Sequence, residues 1–149
     1  MVPTQILKDL SFFEELSDAK IERLASLAEV KTYPEGTFLN KRKREADFFY
    51  ILLEGEISLE VESLTGKTVR LETIAPGAAM GFSSLIEMAP KRYISDARAL
   101  TPVKILRFRS HEMSLLFYQD FELGYLIMKK IAWVAKQRLV NRTYPVEKP

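Results

Sequence analysis

The sequence predicts an α+β fold, in which an antiparallel β-roll of the jelly-roll barrel type is flanked by N-terminal helices and a long C-terminal helix. Apolar residues follow helical spacing up to about residue 30, alternate with period two as far as residue 109, and then return to helical spacing. Turn residues separate the alternating segments at intervals of about 8 to 12 residues, which is typical of sandwiches and barrels. The 149 residues are enough to bury one core without disulfides.

A helix near the N-terminus is predicted over residues 16–29. Ile21, Leu24 and Ala25 are spaced so that they share one face of a helix. Ser17 precedes them and is a suitable N-cap, because its hydroxyl can accept a hydrogen bond from a backbone amide of the first turn.

The middle of the chain predicts several short strands. In the strand over residues 56–62, Ile57 and Leu59 are expected to face the core, whereas Ser58 and Glu60 are expected to face water. Val61 continues the inward set. The predicted strands cover residues 48–53, 56–62, 68–74, 94–100 and 103–108.

Two helices are predicted after the strands. Ser110 is expected to cap a short helix, and a long helix follows over residues 121–141 until Tyr144 and Pro145 end it. One apolar stripe of the long helix is expected to pack on the roll, and it consists of Leu123, Ile127, Ile131, Val134 and Ala135.

A second apolar stripe on the long helix recurs every seven residues. It consists of Leu126, Trp133 and Val140, and polar residues flank it. Such a stripe predicts contact with a partner helix, most simply the same helix of a second copy in a homodimer. The alternative is that Trp133 only covers a wider face of the roll.

Composition excludes several classes of protein. The absence of cysteine rules out disulfides, a thiol nucleophile and thiolate metal ligands, and a single histidine, His111, rules out a His-rich metal site. The net charge of +2 gives no overall attraction to nucleic acid. The basic run 40–44 is followed by acidic residues and is interpreted as a solvated loop. The strand carboxylates are expected to face solvent, which argues against paired-carboxylate catalysis, and they are Glu54, Glu56, Glu60 and Glu62.

The whole chain, residues 1–149, is expected to form one domain without a DNA-binding domain. Its parts are N-terminal helices over 1–30, the roll over 31–109, C-terminal helices over 110–142 and a tail over 143–149. No apolar run approaches the roughly 18 residues of a membrane span. No secretory signal pattern is recognisable either, so we expect a cytoplasmic protein without a membrane partner or a metal.

The most distinctive segment covers residues 75–92. Gly77 and Gly81 precede small hydroxyl residues and a short apolar turn, and Arg92 follows. Gly81 would let the backbone approach a ligand, amides opening a short helix over 83–86 would point at negative charge, and Arg92 could pair with a phosphate. On spacing alone, the alternative is an ordinary Gly-Pro-rich loop with Arg92 in solvent.

Several motifs occur in a specific order over about residues 7–142, namely Tyr33-Pro34-x-Gly36, Tyr50-Ile51-Leu52-x-x-Gly55-x-Ile57, Pro76-Gly77-x-x-x-Gly81, Arg92 and the long C-terminal helix. This order resembles the cyclic nucleotide-binding domain family, the β-roll sensor of the catabolite activator protein and of protein kinase A regulatory subunits. The resemblance implies a ligand-binding set formed by Gly81, Phe82, Ser83, Ser84, Leu85, Arg92 and Tyr93. It also implies that the C-terminal helix is both a dimer seam and a lid.

The sequence departs from the family pattern within this set. Phe82 stands where the family has a glutamate that accepts the ribose 2′-hydroxyl, and bulky Tyr93 follows Arg92 where the family has a small residue. The segment 93–98 is also one residue longer than usual. Loss of the charged acceptor predicts a binding free energy weaker by about 1.5–3 kcal/mol, or about ten- to a hundredfold in affinity.

Two functions follow from these patterns. The first is a non-catalytic regulatory domain that binds a cyclic nucleotide or a related anionic nucleotide in the roll and signals through the C-terminal helix. The second is a degenerate domain without a small-molecule ligand that acts as a dimerisation or protein-interaction module. An enzyme of the cupin type would need a His/Glu metal set, which one histidine cannot supply.

Overall fold

Two four-stranded antiparallel sheets form the roll in a computed structural model that describes residues 1–143. The eight strands are β1 Glu29–Tyr33, β2 Phe38–Asn40, β3 Phe48–Glu54, β4 Ile57–Glu62, β5 Thr68–Ile74, β6 Ala79–Met80, β7 Asp96–Ala99 and β8 Val103–Arg109. The four α-helices are α1 Thr4–Lys8, α2 Asp18–Leu27, α3 Ser110–Gln119 and α4 Phe121–Thr143. Short 3-10 turns cover Ser11–Phe13 and Phe82–Leu85.

Sheet A has the strand order β1-β8-β3-β6, and sheet B has the order β2-β7-β4-β5. These orders, with flanking helices and a long C-terminal helix, confirm the predicted roll architecture. One core cluster lies between the helices and sheet A and is rich in aromatic side chains, among them Phe13, Phe49 and Phe108. The second cluster lies between the sheets and includes Leu52 and Ile105.

The start of α2 is as predicted. The Ser17 hydroxyl accepts a hydrogen bond from the Lys20 backbone amide at 3.4 Å. The helix ends at Leu27, two residues before the predicted end, because Ala28 is extended and Glu29 already pairs with β8.

The prediction that Ser58 and Glu60 face water is wrong. Ser58 is 0% exposed and Glu60 is 3% exposed, although both lie on the outer face of β4. Long side chains from neighbouring strands cover them: Arg98 donates two hydrogen bonds to the Glu60 carboxylate, and Arg70 donates one to Ser58. The hydrogen bonds from Arg98 hold the pKa of Glu60 below its usual range.

The predicted caps of the C-terminal helices need one correction. Arg109, and not Ser110, occupies the N-cap of α3, and Ser110 is its first helical residue. The Ser110 hydroxyl instead accepts a hydrogen bond from Lys91 at 3.2 Å. Helix α4 begins at Phe121 as predicted, whereas the predicted stop at Tyr144 and Pro145 lies outside the described residues.

Candidate ligand-binding site

A cavity of about 200 Å³ lies between sheet B, the Phe82–Leu85 turn and the last turns of α4. It is smaller than the roughly 300–1,000 Å³ of most small-molecule sites. Its walls are mainly apolar, and polar groups come from strand β2, from residues 93–95 and from the helix. The lining residues are Asn40, Leu59, Leu71, Met80, Gly81, Phe82, Ser83, Tyr93, Ile94, Ser95, Ala135, Arg138, Leu139 and Arg142.

Gly81 begins the turn that closes one end of this cavity. Its φ of +79° lies in the left-handed region, and a Cβ at this position would lie 2.8 Å from the Phe48 carbonyl oxygen. Both observations require glycine. The turn is held from within, because the Ser84 hydroxyl donates to the Gly81 carbonyl at 2.6 Å. Ser84 and Leu85 are buried in the protein and do not line the cavity, whereas Gly81, Phe82 and Ser83 do.

Phe82 lies between the core and the C-terminal helix. One face of its ring stacks on Phe49, with centroids 6.1 Å apart. The Arg138 guanidinium carbon lies 4.9 Å from the Phe82 ring centroid, a cation–π distance. The residue that replaces the expected glutamate therefore has a structural role of its own, linking sheet A to α4.

Arg92 and Tyr93 lie on opposite faces of an extended segment. Tyr93 is 7% exposed and lines the cavity, so the preceding Arg92 points outward, is exposed, and does not line it. The Tyr93 hydroxyl donates to the Phe48 carbonyl at 2.9 Å and accepts from the Phe48 amide at 3.0 Å. Burial raises the pKa of this hydroxyl, which keeps it protonated. Tyr93, and not Arg92, therefore takes the inward position next to the cavity.

The cation at the cavity is Arg138, which the sequence analysis did not single out. Its Nε lies 2.9 Å from a Glu72 carboxylate oxygen, and a terminal nitrogen donates to the Ala79 carbonyl. Burial lowers the pKa of Arg138 from its usual value, and Glu72 acts in the opposite direction. Arg142 lies one turn further on, 3.8 Å from the same carboxylate. The spacing of these two arginines on one helical face was the available sequence signal.

Ion pairs fix α4 at its start and along its middle. Asp120, just before the helix, accepts hydrogen bonds from Lys20 at 2.8 Å and from Arg23 at 2.6 Å. Further along, Lys129 lies 2.7 Å from Glu15 and Lys130 lies 2.9 Å from Glu14. The N-terminal segment and α2 thus hold the first half of α4 in place.

The three predicted dimer residues are only partly accessible. Trp133 is 57% exposed, but its ring lies 5.5 Å from Lys130 of the same chain and lines a groove together with Phe12 and Pro76. Leu126 is half-buried, and Val140 is 43% exposed. Their role in a dimer stays a prediction.

Other predicted features occupy ordinary positions. Residues 41–44 of the basic run are exposed, and Lys41 lies 3.7 Å from Asp96, as expected for a solvated loop. His111 is also exposed. Within residues 1–143 no cluster of His, Cys, Asp and Glu is arranged to hold a metal ion. No helix in this part of the chain has the length and apolar character needed to cross a membrane.

Comparison with known proteins relates this architecture to other chains. A family model described as the cyclic nucleotide-binding domain matches residues 30–120. A protein from Geobacter metallireducens GS-15, assigned to the cyclic nucleotide-binding proteins, is 32% identical, with 93% of this chain and 99% of that chain covered and a TM-score of 0.82. Comparison with curated protein sequences gives no match.

More distant structures share the fold alone. The regulatory subunit of a cAMP-independent protein kinase A from Trypanosoma brucei is 17% identical over 94% of this chain and 47% of that chain, with a TM-score of 0.77. The c-di-GMP responsive global regulator CLP from Xanthomonas campestris is 19% identical over 85% of this chain and 61% of that chain, with a TM-score of 0.73.

The family model spans 91 of the 149 residues, and the Geobacter protein matches nearly end to end. The roll from residue 30 onward and the glycine turn lie within the residues that the family model matches. The chain therefore belongs to the cyclic nucleotide-binding domain family.

Proposed function

We propose that this chain is a non-catalytic regulatory domain that binds an anionic ligand of the nucleotide class in the roll cavity and signals through α4. The observation that carries this proposal is the position of Arg138, which reaches from α4 across the cavity to Glu72 and to the Ala79 carbonyl. The group that closes the cavity is therefore also a cation able to bind a phosphate.

A ligand would compete with these internal contacts. Arg138 and Arg142 share one carboxylate, Glu72, so two positive charges face one negative charge at the cavity mouth. An anion would balance that charge. The cavity of about 200 Å³ is also too small for a typical ligand, so entry requires the last turns of α4 to move outward. Ligand binding and helix position would then be coupled.

The expected ligand contacts follow from the geometry of the lining. We assign them to Gly81, Phe82, Ser83 and Tyr93, with Arg138 as the anion partner. Arg92, which the family pattern suggests for the phosphate, is left out because it points away from the cavity. The proposed place of action is the cytoplasm, where nucleotide signals arise. A chain without cysteine is at no disadvantage there, because it forms no disulfides.

The test is a thermal-shift and calorimetric titration with cAMP, cGMP, cyclic di-GMP and inorganic phosphate. A ligand present at about 100 times its dissociation constant adds about 2.7 kcal/mol to the free energy of unfolding. We expect stabilisation by at least one nucleotide, its loss in Arg138→Met, and no change in the matched control Arg92→Met. Binding that disappears in Arg92→Met but persists in Arg138→Met would contradict the assignment of the anion contact.

A second function is favoured by the way the cavity is filled. Phe82 and Tyr93 occupy the positions of the family's carboxylate and small residue, and both make contacts within the protein. A ligand-free module for dimerisation or protein interaction would need only these internal contacts of Phe82 and Tyr93. Absence of stabilisation by every nucleotide in the panel, together with a stable dimer, would favour this second function.

A further inference from the structure

Asn40 lies in the cavity wall, and its hydrogen bonding is incomplete. Within residues 1–143, its side-chain oxygen Oδ1 is buried and accepts no hydrogen bond, a property that it shares with Arg107 Nε. Asn40 lines the cavity, whereas Arg107 does not. A buried acceptor without a donor lowers the stability of a folded protein, so its presence requires a reason. At the wall of a cavity, a ligand that supplies the donor gives that reason.

The pairing of β2 turns the Asn40 side chain toward the interior. Asn40 is paired with Ala97 of β7, and residues directly opposite each other in antiparallel strands lie on the same face of the sheet. Ala97 is 0% exposed and belongs to the core cluster between the two sheets. The amide of Asn40 therefore faces the space between the sheets, where the cavity lies.

Ser95 sets the direction in which the Asn40 amide points. The amide nitrogen Nδ2 donates to the Ser95 carbonyl oxygen at 3.5 Å, which is a long hydrogen bond. Rotating the amide by half a turn would bring two oxygen atoms to that distance, and neither of them has a proton to donate. The group left free at the cavity is therefore an acceptor, and it selects a ligand atom that donates.

Asn40 and the proposed anion partner Arg138 lie at opposite edges of sheet B. Register partners run across the sheet in the order Asn40, Ala97, Leu59 and Glu72. Glu72 in turn binds Arg138. Three strand spacings separate the Cα atoms of Asn40 and Glu72, which is roughly 14 Å. This row therefore has a cation at one end, a hydrogen-bond acceptor at the other, and apolar Leu59 of the cavity lining between them.

We propose that Asn40 is a specificity-determining residue of the cavity, and that its Oδ1 accepts a hydrogen bond from an exocyclic amino group on the base of a bound nucleotide. The inference rests on the proposed function, in which the phosphate of that nucleotide binds Arg138. A nucleotide matches the row because its phosphate and its base lie at opposite ends, whereas inorganic phosphate is too short to reach both. The pairing of an asparagine amide with the amino group of adenine is also a standard contact in nucleic acid recognition.

The first test uses pairs of nucleotides that differ only in the amino group. The full chain is titrated calorimetrically with cAMP and the cyclic monophosphate of purine riboside, which lacks the 6-amino group, and with cGMP and the cyclic monophosphate of inosine, which lacks the 2-amino group. We expect the amino-bearing member of one pair to bind at least about tenfold more tightly than its partner, and that pair identifies the base. Binding without a preference in either pair would overturn this inference and leave the proposed function intact.

The second test determines whether Asn40 carries that preference. Asn40→Leu keeps a similar side-chain volume and removes the acceptor, so the amino-bearing nucleotide should lose its advantage, whereas its partner should bind as it does to the wild type. The matched comparison is Arg138→Met, which should weaken both members of the pair by the same factor because it removes only the anion partner. A preference that survives in Asn40→Leu would overturn the assignment. Failure of every nucleotide to bind the wild type would overturn the proposed function and this inference with it.

The stability of the ligand-free chain separates this role from a purely structural one. Asn40→Leu removes a buried acceptor that has no partner, so its melting temperature without ligand should equal or exceed that of the wild type. Binding residues commonly lower stability in this way, and replacing them restores it. A clear decrease in the melting temperature of Asn40→Leu, with the nucleotide preference unchanged, would show that Asn40 serves only to hold Ser95 and would contradict the proposal.

Discussion

The two halves of α4 are held by different kinds of interaction. The first half inserts Leu123, Ile127 and Ile131 into the core beneath sheet A, and these are 0%, 1% and 4% exposed. In the last turns, Arg138 and Arg142 contact the roll, and their partners are Glu72 and a backbone carbonyl. Apolar burial fixes the first half, and polar contacts that a ligand can replace hold the second.

Magnitudes support this division. Burying a large aliphatic side chain contributes about 1.5–3 kcal/mol, so the three core residues together dominate the stability of the helix. A hydrogen bond to a charged group contributes about 1.5–3 kcal/mol, and an anionic ligand would supply a substitute for it. Moving only the last turns therefore costs much less than detaching the whole helix.

The largest expected effect comes from a substitution in the first half of α4, which apolar burial fixes. Ile127→Ala should lower the free energy of unfolding by about 2–4 kcal/mol, because it removes buried methylene groups and leaves a cavity. Urea denaturation measures this change. The control Val140→Ala, at a position 43% exposed, should change stability by less than about 0.5 kcal/mol. Equal losses in the two variants would show that the halves are not held differently.

A second expected effect depends on pH and concerns the start of the helix. The hydrogen bond from Lys20, followed by that from the Leu123 amide, holds the pKa of Asp120 below its usual range. The carboxylate therefore stabilises the fold fully above its unfolded pKa of about 3.9, and this contribution is lost as the pH falls through the lower folded value.

Asp120→Asn should accordingly reduce the melting temperature at neutral pH, and its difference from the wild type should shrink below about pH 4. The control Glu56→Gln, at an exposed position, should show a much smaller difference at neutral pH. Thermal unfolding across a pH series measures both variants. A difference between Asp120→Asn and the wild type that grows on acidification would contradict the assignment.

The smallest effect on stability sharpens the comparison most. Arg138→Met should lower the free energy of unfolding by about 1–2 kcal/mol, because it removes the hydrogen bonds to Glu72 and to the Ala79 carbonyl. Amide hydrogen exchange should nevertheless rise in the last turns of α4 and stay slow around Ile127. The matched control is Lys136→Met on the exposed face, which should leave the exchange pattern unchanged. Uniform loss of protection along α4 would show that its two halves are not held by different interactions.

Local spacing predicted α2, α3, α4 and five of the eight strands found in residues 1–143, whereas β1, β2 and β6 were not predicted. The helical repeat of Ile21 and Leu24 gives α2, and the alternation of Ile57 and Leu59 gives the inward face of β4, all of them buried in the structure. The outward side of β4 was not predictable in the same way. Glu60 is buried by Arg98 from β7, and the pairing of these strands depends on contacts distant in sequence.

The site was predicted less completely than the fold. Gly81 has the positive φ that the glycine motif indicated. Which of residues 92 and 93 faces the cavity depends on the register of their segment, because alternation reverses every side chain when the register shifts by one. Arg138 was missed because it lines the cavity only when α4 crosses the roll, and the sequence does not show where that crossing lies.

The two hydrogen bonds of the Tyr93 hydroxyl limit how this pocket could be redesigned. They satisfy both backbone groups of Phe48 at a stretch of β3 beyond its pairing with β6. Cutting Tyr93 back to a small residue to enlarge the cavity would leave a half-buried donor and a half-buried acceptor without their partner, which would destabilise the fold. Enlarging the pocket therefore requires a second substitution that satisfies the sheet edge, so the route to a roomier binding site passes through at least two changes.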